Sequence, residues 1–159
     1  KKEADLVRAK ENQIERVITI FPWIAIIDKF QHWVYETPNH NIEERTNRWL
    51  ENADEYLIKT IDISGMQEYR KSGWQKQLHL FEVPFYYIEY GIAQLGAIGL
   101  WMQYIKNPQQ ALQNYMNALS LGGTKTLPEL YAAAGLQVDL SPSHIKSLME
   151  FVTEQMEKI

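Results

Sequence analysis

The sequence predicts an all-α fold, a multi-helix bundle around one buried central helix. Three observations lead there. From Pro84 to Ile105 a run of roughly 22 residues carries a single formal charge, Glu89, and places apolar side chains on every helical face. Segments on both sides of it are amphipathic, with apolar residues mostly three, four or seven apart. Helix-start signatures recur at Asn41 with Glu44, at Thr126 with Glu129, and at Ser141-Pro142. No sheet is expected.

In chain order, Ala4 to Phe21 reads as an amphipathic helix through Leu6, Val7, Ile14, Val17, Ile18 and Phe21. Pro22 is expected to bend or restart it, with Trp23 to Tyr35 resuming as a more apolar helix. Thr37 to His40 is a turn, and the next helix runs from its Asn41 cap to about Lys59 with Trp49, Leu50 and Tyr56 inward. Thr60 to Gly65 is a short irregular link. Met66 to Phe81 holds a Ser-Gly break and a short helical pattern ending near His79, which sets that histidine at a corner beside the central helix.

Pro84 suits the first turn of the central helix, and Gly91, Gly96, Gly99, Ala93 and Ala97 suggest close approach of neighbouring backbones. Asn107-Pro108 ends that helix and starts the next, which Gly122-Gly123 terminates. A short helix over Leu130 to Ala134 closes at Gly135, and a last one begins after Ser141.

The 159 residues suffice for one core, and a single helical domain over 1–159 is expected. A net charge of -4 without a basic face argues against nucleic acid as the main partner. A membrane span over the central run is disfavoured by Glu89 and Gln94 within it, and by a mean hydropathy of -0.37. With no cysteine there is no disulfide, no thiolate metal site and no cysteine nucleophile, which fits a cytoplasmic location. The opening KKEADLVRAK resembles no secretory signal, and the chain reads as cut from something longer.

His32, His40, His79 and His144 form no tight metal-ligand pair, and neither a nucleophile elbow nor a phosphate loop is present. The distinctive chemistry lies at one end of the apolar run, where Tyr86, Tyr87, Glu89 and Tyr90 fall within little more than a turn. Tyr87 and Tyr90, three apart, project from nearly one face. Phenols so placed are fixed donors to an oxygen gaining negative charge, and His79 offers a second donor. The other reading makes the tyrosines core residues with satisfied hydroxyls and Glu89 a paired structural carboxylate.

Three stretches carry a family resemblance. They are HLFEVPFYYIEYGIAQLGA from His79 to Ala97 with Leu100-Trp101, DKFQHWVY from Asp28 to Tyr35 with Glu44 to Trp49, and ALSLGGTKTLPEL from Ala118 to Leu130 with Ala134 to Leu136. In this order they resemble the C-terminal part of the oligoendopeptidase F-like zinc peptidases, peptidase family M3. The resemblance implies a larger helical fold enclosing a channel, with zinc held by H-E-x-x-H and a downstream glutamate. Neither lies in this sequence, so it implies a C-terminal fragment without the metal centre, inactive alone, whose partners are oligopeptide substrates and the missing N-terminal part. It further implies catalytic and substrate-binding roles for Tyr87, Tyr90 and His79, with Tyr86 a substrate-binding neighbour. The alternative of a different class is a free-standing helical module that binds a protein or peptide.

Overall fold

The computed structural model describes residues 2–159, and among them the regular structure is helical, with no strand. Helix α1 spans Lys2–Glu36, α2 Ile42–Tyr56, α3 Gln67–Lys71, α4 His79–Glu82, α5 Ile88–Lys106, α6 Pro108–Ser120, α7 Leu127–Ala133 and α8 Pro142–Met156, with a 3-10 turn at Gly73–Lys76. The chain divides into two compact units. One is Arg16–Gly91, the other the described part of Lys1–Glu15 with Ile92–Ile159.

Several boundaries differ from those the sequence suggests. Helix α2 ends at Tyr56 rather than about Lys59, and α4 begins at His79, where the helical pattern is expected to end. The break expected at Pro22 is absent, and α1 runs through it as one helix of 35 residues. Proline removes one backbone hydrogen bond, and the buried side chains of Val17, Ile24, Ile26, Ile27 and Phe30 anchor the helix on both sides of that loss. Helix α5 begins at Ile88 rather than at Pro84. Phe85 has φ 63, a left-handed conformation incompatible with a right-handed helix. The chain turns there instead, with the Tyr86 N–H donating to the Val83 carbonyl at 3.1 Å.

The core of the Arg16–Gly91 unit is Ile26, Ile27 and Phe30 of α1 with Trp49 of α2. Trp49 meets Phe30 and Trp23 edge-on, at ring-centroid distances of 5.3 and 5.9 Å, an arrangement that suits the charge distribution of aromatic rings. Its indole N–H donates to the Arg70 carbonyl at 3.0 Å, tying α2 to the end of α3. The expected capping box starts α2, the Glu44 N–H donating to Asn41 Oδ1 at 3.0 Å and the Asn41 N–H to Glu44 Oε2 at 2.8 Å. Leu80 and Tyr87 pack against this same core from either side of the turn at Phe85.

In the second unit Leu95 and Ile98 of α5 are buried, as are Ala111, Ala134, Leu148, Phe151 and Val152. Trp101 meets Phe151 edge-on at 5.0 Å. Glycines 96 and 99 of α5 do admit close neighbours, but these are the side chains of Tyr131 and Leu136 rather than backbones. Ala93 and Ala97 are exposed, as is Glu89, which therefore needs no buried partner. Thr126 and Glu129 form the second expected capping box, and α7 starts at Leu127, three residues earlier than the apolar pattern indicates. Gly135, with φ +71, closes it, and its carbonyl accepts from the Gln103 side chain at 2.7 Å.

Candidate functional site

Helix α4 is a single turn whose first residue is His79, held by backbone hydrogen bonds from Leu80 to the Gln77 carbonyl and from Glu82 to the Leu78 carbonyl, each 3.0 Å. After the turn at Phe85 the chain returns as α5, with Tyr86 and Tyr87 just before its first residue and Tyr90 in its first turn. These four side chains, singled out from the sequence, meet. His79 Nε2 lies 3.0 Å from the Tyr90 hydroxyl. The His79 ring stacks towards Tyr86 at 6.3 Å and stands edge-on to Tyr87 at 5.2 Å and to Tyr90 at 5.6 Å. Tyr90 is itself edge-on to Tyr86 and to Tyr87, at 5.8 and 5.2 Å.

The cluster is neither core nor fully solvated. Tyr86 and Tyr90 are exposed, with 42% of Tyr90 accessible, while Tyr87 and His79 are half-buried. Burial raises the Tyr87 pKa, against a hydrogen bond from the Trp23 indole that lowers it. Tyr87 is therefore a neutral phenol at physiological pH. Its oxygen accepts from Trp23, and its own O–H remains a donor.

The His79–Tyr90 pair has a directional choice. With Nε2 protonated, His79 donates to the Tyr90 oxygen and leaves the phenol O–H to donate outward. With Nε2 bare, the phenol spends its proton on the histidine. The first arrangement gives two phenolic donors, Tyr87 and Tyr90, side by side at an accessible surface, chemistry suited to a carbonyl oxygen or an oxyanion.

The remaining histidines stand apart from the cluster. His40 accepts from Arg45 Nε at 2.8 Å and its other ring nitrogen meets the Thr37 carbonyl, which makes it part of the turn before α2. His144 sits in the first turn of α8, its N–H donating to the Ser141 cap. His32 faces Asp28 at 3.6 Å and the ring of Phe85 at 5.0 Å. Sequence reasoning missed Trp23, which reaches Tyr87, and Phe85, which makes the turn. Neither carries a local signal, since both act through contacts distant in sequence.

Among the described residues no three His, Asp or Glu side chains gather into a group that could hold a metal ion. The zinc that the family resemblance implies finds no donor set among the described residues.

The profile of peptidase family M3 matches residues 1–150. The chain belongs to peptidase family M3. Among solved structures, a protein designated oligoendopeptidase F superposes on this M3 chain with a TM-score of 0.89 and 27% identity, over 99% of the M3 chain. PZ peptidase A with an inhibitor gives a TM-score of 0.88, also at 27% identity over 99%. In both comparisons the M3 chain covers 28% of the solved chain, so it spans little more than a quarter of their length. No curated protein matches. Membership agrees with the resemblance carried by the His79 to Ala97 motif, and the all-α fold agrees with the helical peptidase structures. No described helix is long and apolar enough to cross a membrane.

Proposed function

We propose that this chain is the C-terminal region of a zinc-dependent oligopeptidase, where it forms one wall of the substrate channel and supplies the donors that receive the substrate carbonyl. The observation that carries this reading is the meeting of His79, Tyr86, Tyr87 and Tyr90 in one half-exposed cluster on a chain of family M3. Tyr90 and Tyr87 donate to the carbonyl oxygen as it gains negative charge, and His79 holds the Tyr90 phenol in the donating orientation. Tyr86, the more exposed neighbour, contacts the bound peptide. A donor of this kind contributes about 2.7–4 kcal/mol to the transition state.

In this proposal the zinc and its ligands belong to the longer protein, and its chemistry there is to polarise the carbonyl and activate water. The partners are oligopeptides and the remainder of that protein, in the cytoplasm. The chain by itself binds without hydrolysing.

The test compares hydrolysis of a quenched fluorescent oligopeptide by this chain and by a longer protein that contains it, each with and without a chelator. Cleavage by the longer protein alone, abolished by the chelator, is the expected result. Cleavage by this chain in the presence of chelator contradicts the proposal. A second reading, a helical module that docks a peptide, draws on the exposed Ile58, Ile61, Ile63 and Met66; failure of both proteins to cleave would favour it.

A further inference from the structure

Phe85 has the only positive φ of a non-glycine residue among those described, and it directly precedes Tyr86 and Tyr87. A bulky side chain in the left-handed region is strained, and such strain persists only where surrounding contacts over-determine the position. Those contacts are visible. The Phe85 ring lies 5.0 Å from the ring of His32 and 5.1 Å from that of Tyr35, two residues near the C-terminal end of α1. His32 is steadied in turn by Asp28, one helical turn back, at 3.6 Å. On the other side of the turn Tyr87 is fixed against the α1 and α2 core.

We propose that Phe85 is the positioning residue of the tyrosine cluster. His32 and Tyr35 clamp its ring, and the clamp holds the left-handed turn that brings Tyr86, Tyr87 and Tyr90 against His79. The inference deepens the functional reading above, in that the cluster it positions is the one assigned to the substrate carbonyl. The clamp is built from α1, so the geometry of the donors depends on side chains more than fifty positions away in sequence.

The test reads geometry rather than hydrolysis, so it stands or falls separately from the peptidase assignment. By NMR on this chain, the ring nitrogens of His79 and the ring protons of Tyr90 report their mutual contact, and Trp101 of the other unit serves as control. His32→Ala removes one jaw of the clamp at an exposed position. The His79 and Tyr90 resonances are expected to shift towards solvent-exposed values with Trp101 unchanged, and His32→Phe, which restores a ring, is expected to return them. Phe85→Ala should produce the same shift. A residue that merely stabilises the fold would lower the melting temperature while leaving the folded-state His79 signals in place. Unchanged His79 and Tyr90 signals in folded His32→Ala and Phe85→Ala would overturn the proposal, as would equal shifts at Trp101.

Discussion

Gly96 lies directly against the phenol of Tyr131: a Cβ added to it would fall 2.5 Å from the hydroxyl oxygen and 2.9 Å from the ring carbon that bears it. That hydroxyl donates to the Ile92 carbonyl at 2.8 Å, one turn earlier on the same helix, so the side chain is held in place. Gly96→Ala should gain about 1 kcal/mol of helix propensity and lose more to overpacking, which typically costs about 1–3 kcal/mol. Gly91→Ala meets the side chains of Ile24, at 3.6 Å, and Ile88, at 3.9 Å, both ordinary contacts, and should stabilise. Thermal melts of the two variants should therefore move in opposite directions. A stabilised Gly96→Ala would show that Tyr131 yields freely.

The Tyr87 phenol is kept neutral by burial. Its pKa is raised on folding, so the stability linked to it is fully present below the unfolded value of about 10 and is lost as pH rises through the folded value. Tyr87→Phe should flatten the alkaline decline in stability above about pH 10. At neutral pH it should cost about 1 kcal/mol, because the Trp23 indole N–H loses its acceptor. Urea unfolding at a series of pH values measures both effects.

At the start of α7 the Glu129 carboxylate accepts from the Thr126 N–H at 2.8 Å and from the Thr126 hydroxyl at 2.7 Å, and these bonds hold its pKa below 4.5. A depressed carboxylate contributes stability above its unfolded pKa, and that contribution disappears as pH falls through the folded value. Glu129→Gln should therefore make stability less dependent on pH below about 4.3. The slope of unfolding free energy against pH in that range is the readout, and an unchanged slope would remove the capping carboxylate from the acid response.

What could be read from the sequence was local. Asn41 with Glu44 and Thr126 with Glu129 close their boxes within four residues, so composition and order suffice to find them. Tyr87 and Tyr90 share a helical spacing for the same reason. The continuity of α1 through Pro22 was not legible, because the energy that offsets one missing hydrogen bond comes from side chains buried by tertiary packing. Nor was the start of α5 at Ile88. Pro84 in isolation favours a helical first turn, and the left-handed Phe85 that prevents it is held by His32 and Tyr35 from α1. The cluster itself lies between these cases. Its members were identified by spacing and by family motif, but the 3.0 Å contact between His79 and Tyr90 depends on the turn between them.

The most direct measurement is the steady-state kinetics of Tyr90→Phe in the longer protein proposed to contain this chain, alongside the melting temperature of the variant. Tyr90 is exposed and the partner its hydroxyl meets, His79, is only half-buried, so the melting temperature should change little while kcat falls by about 10²–10³, the loss typical of one oxyanion donor. A kcat equal to that of the unaltered enzyme would contradict the role given to the tyrosine cluster.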